Sequence, residues 1–272
     1  MSDLERQHFG EDAPLTTLEE FKTWIVCENE DFLVLNKPGW LVCHPSKNGP
    51  MSSLVGAARV YLSGAENIHL VSRLDRETSG LVVLAKNKKS ASLTQKAIEQ
   101  KRVSKKYLAI LRGRLEGSYT VAQPLADDRN SPVVVKQACA IDRGSAKPAL
   151  TIFRALRHGA APEPLTLCEV QIVTGRKHQI RAHAKWIGRE LVGDKIYGPD
   201  ENIYLRFIES GLNERDLQLL LMPRQALHAW ELDFSDVIAN MRLRARPPAD
   251  FENFMIKCGL GDCSEFARRT QL

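Results

Sequence analysis

Residues 70–85 read Leu70-Val71-Ser72-Arg73-Leu74-Asp75-Arg76-Glu77-Thr78-Ser79-Gly80-Leu81-Val82-Val83-Leu84-Ala85, a charged loop held between two apolar stretches. The run Leu81–Ala85 predicts a buried strand. Loops carried by a rigid sheet are where reactive side chains usually sit. Asp75 has arginines at 73 and 76, and nearby guanidinium charge favours an ionised carboxylate, able to act as acceptor or nucleophile at neutral pH. The same residues also suit a salt-bridged structural turn, since Thr78-Ser79-Gly80 is good turn chemistry.

Upstream, Trp24-Ile25-Val26 and Phe32–Leu35 predict strands, Asn36-Lys37-Pro38-Gly39 a turn, and Ser52–Leu62 a helix with Leu54, Ala58 and Tyr61 on one face. Downstream, a helix is expected from about Ser90 to Gln100 and a strand over Lys106–Leu111, ended by Gly113. From Gln123 to Thr174 the chain reads as strands: Val133–Val135, Ala149–Leu156 and Leu165–Val173. A helix from Arg176 to about Ile187 is expected next, with Thr174 as N-cap. Short helices over 202–220, strands over Ala226–Phe234 and Arg242–Ala245, and a C-terminal helix after Pro247-Pro248 complete the pattern. Strands outnumber helices and often follow one another directly, which favours an α+β fold with a mixed, mainly antiparallel sheet flanked by helices. The expected organisation is a polar lead-in over 1–20, one domain over 21–250 and a helical extension over 251–272.

Charge is segregated along the 272 residues, whose net charge is +5. Residues 171–189 carry Arg176, Lys177, Arg181, Lys185 and Arg189 and no acid, and residues 86–106 carry eight Lys or Arg against Glu99 alone. The remainder is acidic on balance. Such segregation suits a polyanion-binding surface, and equally two solvated helix faces. On the helix expected after Thr174, Ile180, Ala184 and Ile187 form a buried stripe, and Lys177, Arg181 and Lys185 a row on another face. Tyr107, beside Lys105 and Lys106, suits stacking on a base or a half-buried core position.

Several chemistries have no sequence support. There is no phosphate-binding G-x-x-x-x-G-K-[ST] loop, no G-x-G-x-x-G and no G-x-S-x-G elbow. His178 and His183 are five apart with no intervening Glu, unlike a zinc-binding H-E-x-x-H helix. The six cysteines include no C-x-x-C pair, so reduced thiols are expected, with no metal site and no cofactor. With no apolar run near the roughly 18 residues of a membrane span and no apolar leader, a cytoplasmic protein without membrane contact is expected.

Three segments, SRLDRETSG (72–80), KKYLA (105–109) and TGRKHQIRAH (174–183), in this order, resemble motifs of the RluA-type pseudouridine synthases. LNKPGWLV, LVGDKIYG (191–198) and ALHAWELDF (226–234) match in support, so the similarity runs from about 24 to 250. The resemblance implies an RNA-modifying enzyme with a central RNA-binding cleft that converts uridine in ribosomal or transfer RNA to pseudouridine. It implies that Asp75 is the catalytic aspartate, that Tyr107 stacks on the target base, and that Arg181 pairs with Asp75. Arg73 matches the residue that fills the space left by the flipped base. Arg76, Thr78, Arg176, Lys177, His178 and Lys185 join it as expected RNA-binding positions. Ser72 stands where the family usually has His. With the pattern starting near Trp24, the expectation is a chain with no S4 RNA-binding domain, acting as a monomer. An inert RNA-binding protein of the same fold, or a glycosidic-bond hydrolase using Asp75 with Glu77, are the alternatives.

Overall fold

The computed structural model describes residues 13–45, 47–64, 67–140 and 144–266. The elements run α1 (Leu18–Thr23), β1 (Ile25–Glu28), β2 (Phe32–Lys37), α2 (Leu54–Tyr61), β3 (His69–Leu70), β4 (Ser79–Ala85), α3 (Lys88–Glu99) and β5 (Ser104–Arg112). There follow β6 (Ser118–Val121), β7 (Leu125–Asp127), β8 (Gln137–Cys139), β9 (Thr151–Gly159), β10 (Leu165–Ile172), α4 (Gln179–Trp186), α5 (Asn202–Ser210), α6 (Glu214–Leu220), β11 (Leu227–Asp233), β12 (Arg242–Arg244) and α7 (Ala249–Lys257). The pairs β1–β2, β2–β4, β3–β4, β5–β10, β9–β10, β6–β9, β7–β8 and β11–β12 are antiparallel and β4–β11 is parallel, which makes the fold the mixed, mainly antiparallel α+β class expected. Among the described residues no helix is long and apolar enough to cross a membrane.

The chain divides into two compact units. One takes the residues up to Ser104, then His228–Pro248 and the described residues from Cys263 on; the other takes Lys105–Leu227 and Ala249–Asp262. In the first, β4 is the organising strand: all seven of its residues are buried, as an unalternated apolar run requires. It pairs with β2 along its length, with β3 at Leu84 and Ala85, and with β11 at Ser79 and Gly80. Phe32, Val34, Leu81, Val83, Leu232 and Phe234 lead the core on one side of this sheet. Side chains of this kind each contribute roughly 1.5–3 kcal/mol when fully buried. α3 starts where Asn87 accepts the Ser90 N–H at 2.9 Å, and Asp31 fixes that cap by accepting from both residues.

In the second unit β5, β10, β9 and β6 lie side by side, β5 and β10 matched over eight residue pairs. The hairpin of β7 and β8 stands apart from that sheet and packs on a core of Leu125, Val133, Ala149, Ala182, Ile196 and Tyr197. Val133–Val135, expected as a strand, is instead the turn before β8: Val133 is buried, but Val134 is 89% exposed. Pro132 breaks the pairing, and a β-branched triplet reads as strand only where a neighbouring strand covers it. The helix expected from Arg176 begins at Gln179, because His178 takes a left-handed conformation (φ 53°) that an α-helix cannot include. Thr174 is not its N-cap; its hydroxyl donates to Gln179 Oε1.

β4 and β11 approach each other through Gly80, which sits at φ +116°. A Cβ there would lie 2.3 Å from the Ala229 carbonyl oxygen. Gly80→Ala therefore adds backbone strain to a clash between two strands, and it should cost about 3–5 kcal/mol of unfolding free energy. Urea denaturation followed by circular dichroism measures this; a loss below about 1 kcal/mol would mean that the strands separate freely at that point.

Candidate active-site loop and its cationic partners

The Asp75 loop is built from the backbone outward. Lys37, at the end of β2, is 1% exposed, out of reach of the water an ammonium group normally binds. Its Nζ donates instead to three carbonyls: Pro38 at 2.7 Å, Leu41 at 2.8 Å and Arg76 at 2.8 Å. An ammonium carries three donors, so three acceptors at these lengths make burial tolerable. The Arg76 Nε donates to the Trp40 carbonyl at 3.0 Å, tying the same two loops together a second time. Leu74 is held by Cys43, whose Sγ accepts the Leu74 N–H at 3.4 Å and donates to its carbonyl at 3.5 Å. Burial pushes the Cys43 thiol up, against the pull of the Lys37 charge, so it keeps the proton that this donation needs. The Thr78 N–H closes the turn onto the Asp75 carbonyl at 3.1 Å. Ser79 Oγ lies 3.0 Å from Nδ1 of the buried His228, whose Nε2 lies 3.0 Å from the Ala245 carbonyl; a carbonyl only accepts, so His228 carries its proton on Nε2 and Ser79 donates.

The first unit thus gathers Arg73, Asp75, Arg76 and Thr78 on one loop. Arg73 is exposed, Asp75 and Arg76 are half-buried, and Thr78 is buried. Lys37 and Cys43 were not singled out in the sequence. Nothing in the pattern marks a lysine that donates to three backbone carbonyls.

The second unit holds Tyr107, Arg176, Lys177, His178, Arg181 and Lys185. Tyr107 lies mid-strand in β5 opposite Val170 and is 8% exposed. Lys105 shares its face of the strand, two residues away. Desolvation lowers the half-buried Lys105 ammonium to about 8, while Lys106 faces Glu169 at 3.7 Å. Arg181 is buried in α4 and binds Asp194 bidentately, Nε to Oδ2 at 2.7 Å and Nη2 to Oδ1 at 2.8 Å. Asp194 Oδ1 also accepts the N–H groups of Ile196 and Tyr197, each at 3.0 Å, and the Arg181 guanidinium lies 5.0 Å from the Tyr197 ring centre. Burial alone would raise the Asp194 carboxyl, but Arg181 and the two N–H groups outweigh it and hold it below the usual carboxylate range.

The row expected at 177, 181 and 185 is therefore not one solvated face. Lys177 precedes the helix and is exposed, Arg181 is buried against Asp194, and Lys185 is exposed beside Glu190 at 3.8 Å. The apolar stripe is real at Ile180 and Ala184, both buried. The exposed Arg176 donates from Nε to the Pro148 carbonyl at 3.0 Å. Gln179 clamps the lead-in: its Oε1 accepts from Thr174 Oγ1 and the Arg176 N–H, and its Nε2 donates to the Leu150 carbonyl and Thr151 Oγ1. His178 Nδ1 lies 3.1 Å from the Tyr197 hydroxyl. His183 is fully buried between Thr151 Oγ1 and the Gln123 carbonyl, and desolvation lowers its pKa, so this histidine is a neutral strut. Asp194, the partner of Arg181, was left unmarked by the motifs; it lies within LVGDKIYG, a stretch quoted above without assigning a role to its acid. Among the described residues no group of three or more His, Cys, Asp or Glu side chains is placed to hold a metal ion.

A family model described as RNA pseudouridylate synthase matches residues 31–186. An uncharacterized RNA pseudouridine synthase of Mycoplasma pneumoniae is 36% identical over 180 residues, covering 66% of this chain and 56% of that protein. The ribosomal large subunit pseudouridine synthase D of Nitrosomonas europaea is 31% identical over 240 residues, covering 86% and 62%. An uncharacterized RNA pseudouridine synthase of Bacillus subtilis is 30% identical over 235 residues, covering 84% and 70%. The chain thus spans little more than half the length of the first two. Among solved structures, human RNA pseudouridylate synthase domain containing 1 superposes with a TM-score of 0.65 at 26% identity over 86% of each chain.

Two outcomes follow from this geometry. Lys37→Met leaves three buried carbonyls without a donor, at roughly 1–3 kcal/mol each. A drop of about 3 kcal/mol or more in a chemical denaturation series is expected, and Lys37→Arg should not restore it, because a planar fork cannot reproduce the tripod. Asp194→Asn leaves Arg181 as an uncompensated buried charge and should cost about 3–5 kcal/mol near neutral pH. Because the folded Asp194 carboxyl lies below its unfolded value near 3.9, its stabilisation is complete above that pH and fades as pH falls through the folded value. Melting curves from pH 6 to pH 3 should therefore decline more steeply for the wild-type chain than for Asp194→Asn; parallel declines would show that Asp194 titrates alike in both states.

Proposed function

This chain belongs to the RNA pseudouridylate synthase family, and we propose that it converts uridine in RNA to pseudouridine, with Asp75 as the group that acts at the sugar. The observation that carries the reading is the construction of the Asp75 loop. Lys37, Cys43 and the Arg76–Trp40 contact fix the backbone on both sides of Asp75, and the aspartate itself stays half-buried. A carboxylate held this way is positioned for chemistry rather than for packing.

The isomerisation breaks the C1′–N1 bond, turns the uracil, joins C5 to C1′ and then removes the C5 proton. A carboxylate serves either as nucleophile at C1′ or as the base that starts the rearrangement. Tyr107 is assigned to stacking on the turned base and to the proton transfer at C5. Arg181 is assigned to keeping the reacting carboxylate ionised, and Asp194 to fixing the direction of the Arg181 fork. The target uridine must leave its stack to be reached, and Arg73, exposed on the same loop as Asp75, is assigned to the space it vacates. Arg76, Thr78, Arg176, Lys177, His178 and Lys185 are assigned to the RNA around the target. Ribosomal RNA is the proposed substrate, on the strength of the name of the Nitrosomonas europaea relative, and the cytoplasm the proposed setting. Residues 21–250 form the proposed catalytic domain.

Asn matches Asp in shape and lacks its nucleophilic and basic oxygen. Asp75→Asn should lower pseudouridine formation on protein-free ribosomal RNA by about 10⁴-fold or more, the upper end of what one acid–base group supplies. RNA affinity should change by no more than about threefold, because phosphate contacts set it. Pseudouridine mapping with a parallel filter-binding titration reads both. Turnover near the wild-type rate would remove Asp75 from the mechanism, and joint loss of binding and turnover would make it a structural turn residue. Release of free uracil by the wild-type chain would instead mark a glycosidic-bond hydrolase.

A further inference from the structure

The first unit contains a cleft of about 480 Å³ that the reaction just described does not use. It opens between α2 and α3 over the short strand β3. Its apolar wall includes Val55 and Ile68, and its polar groups include His44, Arg59, His69 and Gln95. The volume falls within the roughly 300–1,000 Å³ of small-molecule sites, and the lining combines aliphatic walls with polar groups.

Of its polar groups, Gln95 donates from Nε2 to Glu99 Oε1 at 3.3 Å, within its own helix, and its carbonyl oxygen is the end left for a ligand. His69 Nε2 is buried and has no hydrogen-bond partner among the described residues, although a buried ring nitrogen normally finds one. Arg59 and His44 are exposed. On the neighbouring helix the basic side chains of Lys88, Lys89 and Lys96 are exposed as well. The Asp75 loop adjoins the cleft through the chain itself. Leu70 and Val71 line it immediately before Ser72, and Cys43, next to His44, grips Leu74.

We infer that this cleft is a subsite for a nucleotide of the substrate RNA that flanks the target uridine, with the base between α2 and α3 and its phosphate at Arg59. This rests on the RNA reading above. A nucleobase has the flat apolar faces that Val55 and Ile68 would cover and an edge rich in donors and acceptors for His69 Nε2 and the Gln95 amide. The Arg59 guanidinium in the lining favours the anionic backbone over a neutral ligand. Such a subsite holds the strand beside the target and reads its neighbour, so it supplies sequence context.

The test compares the full chain with Arg59→Gln and Ser92→Trp; Ser92 is an exposed α3 residue at the cleft, where an indole would occupy the space. The probe is a short fluorescent oligouridylate, carrying 4-thiouridine in a second preparation. Arg59→Gln should weaken binding about tenfold, the loss of one charge-assisted contact, and flatten the slope of log affinity against log salt by about 0.7. Ser92→Trp should weaken binding comparably, and thiouridine crosslinks should map to the peptides around residues 69–71 or 91–95. Wild-type affinity in both variants, with crosslinks elsewhere, overturns the subsite. Pseudouridine mapping on the wild-type chain separates the two readings: product formed without any effect of the variants rejects the subsite alone. RNA binding weakened by both variants, with no product from the wild-type chain, keeps the subsite and rejects the isomerase.

Discussion

A single buried ammonium group organises the loop that carries Asp75. Lys37 spends its three N–H bonds on carbonyls from Pro38, Leu41 and Arg76, two separate loops that would otherwise present unpaired oxygens to a closed interior. Hydrogen bonds to a charged donor are among the stronger ones proteins make, and in a low-dielectric setting their loss is costly. The loop can be rigid without regular secondary structure because its constraint comes from one side chain rooted in β2. The Cys43–Leu74 and Arg76–Trp40 contacts then fix the remaining freedom on either side of Asp75.

The second unit solves a related problem with opposite charges. Its buried guanidinium groups each meet a carboxylate through two parallel bonds, Arg181 with Asp194 and Arg224 with Asp250. Bidentate geometry fixes direction as well as distance, which a lysine cannot do. Asp194 is itself aimed by the N–H groups of Ile196 and Tyr197, and it follows Gly193, where φ is +75° and a Cβ would meet the Arg224 carbonyl oxygen at 1.8 Å. Arg181 is thereby held in place by a turn that only glycine permits.

Much of this was legible in the sequence. The unalternated run at 81–85 and the alternating strands after it announced the sheet, and the ordered motifs singled out Asp75, Tyr107 and Arg181 as candidates. What escaped was of two kinds. Val133–Val135 has strand-forming residues without a strand beside them, and the start of α4 was misplaced because a left-handed His178 leaves no mark in residue type. Lys37 and Asp194 escaped because their partners are backbone groups or lie across the fold, as Arg181 does 13 positions from its carboxylate. Side-chain spacing reports faces of helices and strands; it does not report which carbonyl a buried cation will find.

The parallel contact of β4 with β11 has a consequence for synthesis of the chain. Ser79 and His228 are 149 residues apart, and the pairing Gly80↔Ala229 lies beside them. When the Asp75 loop leaves the ribosome, the strand that completes one side of its sheet has not yet been translated. At typical rates of about 5–20 residues per second, the nascent loop waits roughly ten seconds or more for His228. During that interval Ser79 and Gly80 lack their β11 neighbours, so the end of the sheet beside the Asp75 loop is among the last parts of the first unit to become native.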